Sequence, residues 1–272
     1  MNPNYQIFFN CIFLFIVGIC IGSFINVITY RLPNNISILP RSYCPNCKSQ
    51  IKWFDNIPIL SWILLSGKCR SCTKEINFSY PFVELLTGII FIFCYLSNTF
   101  INTNNTSILY LISSLIMTSI YLSMSLIDIK YFWLPKSLNY LCIFLGIFLN
   151  LLLYSSFSNL NIFYSIMNNI ISSFLGYFIF RSISYASKFI YKKESLGLGD
   201  ALFVANLGAW NGLIGVYFSL IISFQLAGIY ILIRSLMKDI DLRGYIALGP
   251  FLAIGGTIVW CIGKENIMSL LT

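Results

Sequence analysis

LGLGD, Leu196 to Asp200, stands between two long apolar runs and, read together with Asp128, decides how this chain is organised. Each aspartate lies where an apolar run meets a short charged segment, and an unpaired charge buried at such a place costs several kcal/mol. Both are therefore functional candidates. Two apolar runs of membrane-spanning length separate them, so the chain would cross a bilayer twice between one and the other. The two carboxylates would return to the same face, where they can meet.

Composition points the same way. Of 272 residues, 58% are hydrophobic and 10% charged, with a mean hydropathy of +0.81, which excludes a soluble globule and indicates an integral membrane protein. The first apolar run lacks a basic leader region and a small-residue cleavage site, so it is read as a retained helix rather than a signal peptide. Histidine is absent. Catalysis by Ser/His or Cys/His, His-ligated metals and His proton relays are thereby excluded, and carboxylates, cysteines and lysines are left to do any chemistry.

An α-helix rising 1.5 Å per residue needs about 20 apolar residues to cross a hydrocarbon core of ~30 Å. That ruler gives eight runs: 6–29, 81–97, 107–127, 138–155, 162–184, 200–211, 213–234 and 246–263. The sixth is short and carries Asn206 and Asn211. With the N-terminus outside, 16 of the 17 Lys and Arg residues fall on the inner side and only Lys264 falls outside, while the outer loops SNTFINTNNTS and SSFSNLN carry no charge. This is the positive-inside pattern. The net charge of +8 is then explained by topology and anionic lipid, with no nucleic-acid partner. The expected fold is all-α and polytopic, with about eight transmembrane helices, the N-terminus outside and both aspartates on the cytoplasmic side.

The longest inner segment, Arg31 to Tyr80, contains two C-x-x-C pairs, Cys44 with Cys47 and Cys69 with Cys72. Two such knuckles can present four thiolates to one tetrahedral ion, for which zinc is the best match, making a zinc-ribbon-like loop domain. Free thiols or redox use are the alternatives. A loop this size has little apolar area, so ligation would supply its folding energy. Cys11, Cys20, Cys94, Cys142 and Cys261 lie in the spans and read as core filler.

GSFINVITYRLP (22–33), CPNC, WFDNIPILSWILLSGKC (53–69) and YPFVELLTG (80–88) resemble the amino-terminal half of the type IV prepilin peptidases. LIDIKYFWLP (126–135), KESLGLGD (193–200), LGAWNG (207–212) and LGPFLAIGG (248–256) resemble the remainder. The likeness runs nearly end to end and in order. GxGD alone would be weak, because it also occurs in presenilin-like intramembrane proteases. The resemblance implies a bifunctional enzyme of the bacterial inner membrane. It would cleave the short basic leader of type IV prepilins and type II secretion pseudopilins at the cytoplasmic face. It would then methylate the new N-terminus with S-adenosylmethionine. Carried over by position, Asp128 and Asp200 are the catalytic aspartates, and Cys44, Cys47, Cys69 and Cys72 are the zinc-type ligands. The division expected is a first transmembrane helix (1–30), the four-cysteine loop associated with methylation (31–80), and a transmembrane aspartic peptidase domain (81–272). Lys130, Lys136 and Leu202 depart from the family pattern, which bears on the charges that tune the pair.

Two carboxylates sharing a site cannot both ionise cheaply, so one keeps its proton and the pair supplies base and acid together. The pair titrates as a unit, and neither role belongs to one aspartate. Gly197 and Gly199 are expected to let backbone approach an extended substrate; the plainer reading is that Gly199 caps a helix and Asp200 complements its dipole. Asp128 has a plainer reading too, as a membrane-edge residue paired with Lys130 or Arg181. Glu194 could orient Asp200 or remain a solvated loop charge. Glu84 and Arg31 are expected to pair, and Asn26 to hydrogen-bond between helices. The aromatic residues Tyr43, Trp53, Phe54, Trp62, Phe78 and Tyr80 could stack on adenine or face a sulfonium, or anchor the loop at the interface; no residue is assigned to an S-adenosylmethionine site. The alternatives are a peptidase without methyl transfer, and a non-catalytic assembly factor or transporter. The oligomeric state and the choice of prepilin are not legible.

Overall fold

The computed structural model describes residues 3–101, 107–155, 162–192, 196–237, 246–263 and 266. Eight α-helices account for most of them: α1 (Pro3–Arg31), α2 (Leu60–Leu64), α3 (Ser79–Ile101), α4 (Ser107–Tyr131), α5 (Lys136–Ser155), α6 (Ile162–Tyr191), α7 (Leu198–Leu236) and α8 (Gly249–Ile262). No strand occurs among the described residues, so the all-α expectation holds. Six helices, α1 and α3 to α7, are long and apolar enough to cross a membrane. Glu194, Lys193, Lys238, Arg243 and Lys264, and most of the two uncharged loops, lie outside the described residues.

Helix limits follow local chemistry. Pro33 disfavours helical backbone at Leu32, and α1 ends at Arg31. The Asn77 side chain accepts the Ser79 N–H at 2.8 Å where α3 begins, and Pro81 sits in its first turn, where a missing N–H costs nothing. Pro135 lies just outside α5, one residue earlier than a first-turn position, and its carbonyl accepts from both the backbone and the side chain of Asn139.

Two compact units are present, Met1–Leu96 and Ser97–Thr272. In the first, α1 and α3 cross where small residues let the backbones touch. A Cβ added to Gly18 would lie 2.7 Å from the Gly88 Cα, and one added to Gly22 would lie 2.7 Å from the Glu84 Cα. The interhelical bond expected of Asn26 is made to the Tyr80 carbonyl at 3.0 Å.

The second unit is a bundle in which α7 is central. At 39 residues it would be about 59 Å long if straight, roughly twice a hydrocarbon core. It is not straight: Gly212 has φ 68° and ψ −175°, and the chain reverses there. The contacts on α8 show the reversal. Leu207 and Trp210 of the first arm meet Gly256 and Trp260, and Tyr230 of the second arm meets Phe251. The first arm therefore runs parallel to α8 and the second antiparallel. The carbonyls at the end of the first arm are not left bare, because the Asn150 side chain donates to Ala209 at 3.3 Å and to Trp210 at 3.2 Å. Gly208 sits against the backbone of Ser172 and Ser173 on α6, with 2.5 Å left for any Cβ. The sixth and seventh apolar runs are thus the two arms of one hairpin-like element, and the eighth is the 14-residue α8.

Because only glycine occupies that φ region without cost, Gly212→Ala should lose about 1–3 kcal/mol of stability. Its Cβ would also fall 2.8 Å from the Asn168 amide nitrogen. Thermal unfolding of the purified protein in detergent should show a lowered Tm; an unchanged Tm would contradict this account of the turn.

Candidate active site and metal centre

Asp128 occupies the last turn of α4, and Asp200 the first turn of α7. Helix α4 runs antiparallel to α8: Tyr110 stacks on Trp260, Tyr121 touches Gly256, and Asp128 reaches Gly249. Since the first arm of α7 is parallel to α8, the Asp128 end of α4 and the Asp200 end of α7 lie at the same end of the bundle. Leu134, six residues beyond Asp128, packs on Gly199, the residue before Asp200.

Both are held alike. Asp128, 5% exposed, accepts the Gly249 N–H on Oδ2 at 2.8 Å. Asp200 accepts the Gly197 N–H on Oδ2 at 2.9 Å. Each bond brings a carboxylate to the start of a helix, where unused N–H groups and the dipole favour negative charge. The Oδ1 atoms have no hydrogen-bond partner among the described residues, so one oxygen of each acid is left for chemistry. Neither acid forms an ion pair among the described residues. Arg181 instead donates to the Tyr185 hydroxyl and lies over its ring at 4.4 Å, so the structural pairing offered for Asp128 is not formed.

The glycines divide the work differently from a shared role in backbone flexibility. Gly197 is the residue before α7, in extended backbone with φ −72° that any residue adopts, and it contributes its N–H. Gly199 is needed for closeness: a Cβ there would fall 2.6 Å from the Leu134 Cβ. Gly249 was given no role in the sequence, yet a Cβ there would lie 2.8 Å from the Asp128 Oδ2. The available signal was the Gly249–Pro250 pair opening the last apolar run, a mark of a helix start whose first N–H groups are free.

In the first unit, the four cysteines converge. The Sγ atoms of Cys44, Cys47, Cys69 and Cys72 all lie within 4.8 Å of one another, with Cys44 and Cys72 at 3.9 Å. Bonds of about 2.3 Å to a tetrahedral ion put sulfurs about 3.8 Å apart, so a small contraction would complete an S4 site. The two knuckles are built alike. Lys48 N–H donates to the Cys44 carbonyl and Thr73 N–H to that of Cys69, and both donors have positive φ. Each knuckle is closed by one antiparallel bridge, Tyr43 with Gln50 and Lys68 with Glu75. Two of the thiols are made more acidic, whereas burial raises Cys44. The Ser49 side chain beside Cys47 brings that thiol down to about 6, and backbone N–H groups of Cys72 and Ser71 lower Cys69. The cluster can hold a metal ion.

Nearby, Arg70 makes a bidentate ion pair with Asp55, the shortest contact 2.6 Å, and holds that carboxyl below its ordinary range. This exposed pair is worth little in stability. The expected Glu84–Arg31 pair is not formed. Arg31 donates to the carbonyls of Ser37, Ile38, Pro40 and Arg41, while Glu84 accepts the Ile59 N–H at 2.7 Å. The guanidinium is used to fold the segment after α1, holding four of its carbonyls.

The described residues combine membrane-length helices, two acids at one end of a helical bundle and a paired four-cysteine cluster, the features expected of a polytopic membrane protease. Residues 16–98 match the Bacterial Peptidase A24 N-terminal domain, and residues 115–232 match the Type IV leader peptidase family. The chain is similar to the prepilin leader peptidase/N-methyltransferase of Pectobacterium carotovorum subsp. carotovorum, with 31% identity over 93% of each chain. Similarity to the protein of that name in Aeromonas salmonicida (strain A449) is 29% over 95% of this chain and 92% of the relative. With that of Myxococcus xanthus (strain DK1622) it is 34% over 82% of this chain, but the match spans 64% of that relative. No solved structure matches the chain. The chain belongs to the type IV leader peptidase family.

Gly249→Val should displace the Asp128 carboxylate and shift it away from the α8 N–H. A fall of about 10²-fold or more in any activity that depends on Asp128, with the protein still folded by circular dichroism, is the expected result.

Proposed function

We propose that this protein is a prepilin leader peptidase and N-methyltransferase, with Asp128 and Asp200 as its catalytic pair. The observation that carries the reading is that both acids lie at one end of the bundle, each bound through one oxygen to a glycine N–H and, among the described residues, with no partner for the other oxygen. The ionised member takes a proton from water, whose oxygen attacks the scissile carbonyl. The protonated member donates to the carbonyl oxygen as it gains charge. When the tetrahedral centre collapses, a proton passes to the departing amine and the C–N bond breaks. Neither metal nor covalent nucleophile enters this route.

The membrane supplies the setting. Several apolar helices make this a multi-pass membrane protein, and we read the inner membrane as its location, with the N-terminus periplasmic and both acids at the cytoplasmic rim. A prepilin or pseudopilin would arrive there with its basic leader in the cytoplasm. The cysteine loop is read as the part associated with methylation, within the 31–80 segment, and the acids as part of a peptidase domain over 81–272. Zinc is the ion that four thiolates in this arrangement favour. When bound it supplies structure, joining two knuckles that Asn46 also links through Lys74 and Cys72. S-adenosylmethionine would be the methyl donor.

Asp128→Asn and Asp200→Asn should each lower leader cleavage of a purified prepilin by at least about 10³-fold, because one carboxamide removes either the base or the acid. Cleavage at the unsubstituted rate by either variant would exclude the pair. Separately, Cys44→Ser or Cys72→Ser should reduce metal content, measured by elemental analysis of protein purified without chelator, from one ion per chain toward none. Unaltered content would remove the S4 site as the metal's seat.

A further inference from the structure

Within the first unit a cavity of about 530 Å³ is lined by α1, the cysteine loop and the start of α3. That volume is in the range of small-molecule sites. Its lining includes Glu84, which is 7% exposed. Glu84 receives the Ile59 N–H on Oε2 at 2.7 Å and a hydrogen bond from Ser23, both neutral donors. Among the described residues it has no cationic partner.

The cations that share the lining are engaged elsewhere. Arg31, 4% exposed, spends its guanidinium on four carbonyls and lies 5.5 Å from the Tyr43 ring. Arg70 is held by Asp55, and Lys74 donates to the Asn46 side chain at 3.2 Å. Lys52 lies over the Phe54 ring. A buried carboxylate without a counter-ion is costly, and a positively charged ligand would relieve that cost. The Glu84 bond also fixes Ile59, a β-branched residue held at φ 61°, where such residues are rare and strained. The acid thus both lines the cavity and holds one wall in place.

We propose that this cavity is the S-adenosylmethionine site, with Glu84 as the counter-charge to the ligand's positive end. This rests on the methyl-transfer reading above and deepens it. The ligand's size suits the volume, its adenine can face Tyr43, Trp62 or Tyr80, and its cationic end meets the one lining acid that is buried without a cation. Methyl transfer would take the methyl group from the sulfonium to the amine of the cleaved pilin. The sulfur keeps the electron pair of the broken bond, and the amine then gives up a proton.

The test uses the full-length protein purified in detergent and two measurements. In the first, equilibrium binding of radiolabelled S-adenosylmethionine should show a Kd at least tenfold higher for Glu84→Gln than for the unsubstituted protein; an unchanged Kd overturns the proposal. In the second, ultraviolet cross-linking of the labelled ligand to the unsubstituted protein needs no variant to fold. The label should map to peptides between residues 42 and 84, and mapping only to peptides from 97–272 overturns it. Binding with the label elsewhere would leave methyl transfer standing and sink only this site. A preparation that cleaves leader but binds no S-adenosylmethionine would sink the methyl-transfer reading itself.

Discussion

Everything in the second unit depends on two carboxylates, Asp128 buried and Asp200 partly buried, being tolerated at the ends of helices. A carboxylate there needs compensation, and among the described residues it is given by backbone rather than by cations: Gly249 N–H for Asp128 and Gly197 N–H for Asp200. A backbone donor neutralises less than a guanidinium would. It leaves each acid with a free oxygen and without a fixed positive charge that would hold both ionised. Glycine at 249 is what allows the donor to come so close, because any side chain would occupy the space of the carboxylate. Helix packing, hydrogen bonding and chemistry meet at this one contact.

The rest of the bundle serves that geometry. A chain reversal at Gly212 splits α7 into two arms, so that Asp200 can open a short helix parallel to α8 while the second arm returns beside it. Without the reversal, α7 would be far longer than a bilayer is thick. Trp210 fills the space near the turn, donating its indole N–H to the Cys142 carbonyl at 3.0 Å and packing edge-on against Trp260. In the first unit the two cysteine knuckles repeat one backbone pattern, and the glycine contacts between α1 and α3 bring Glu84 within reach of the loop. The same economy recurs there: an acid near a helix start, held by backbone and hydroxyl donors instead of by a cation.

Much of this was legible in residue order. The apolar runs gave the helices because length against bilayer thickness is a one-dimensional constraint. The C-x-x-C pairs announced the thiol cluster because two ligands three residues apart share one turn. The acids stood out because charge is rare in such a chain. Other features depend on contacts between distant segments. Nothing local says that Arg31 would turn to the carbonyls of residues 37–41 instead of to Glu84, since that choice is made by how the chain leaves α1. Gly249 carried a helix-start signal but no hint of its partner, 121 positions away. The break at residue 212 was legible, since the runs 200–211 and 213–234 part there; that a single glycine with positive φ makes the whole reversal was not, because backbone conformation has no signature in composition.

The central claim is that two acids share one site and titrate together. The most direct measurement is the pH dependence of kcat/KM for leader cleavage by the purified protein, because a shared pair requires one proton between two carboxylates. A bell-shaped profile whose two limbs are both altered by Asp128→Glu or Asp200→Glu is the predicted result. A profile governed by a single ionisation, indifferent to one of the two aspartates, would contradict it.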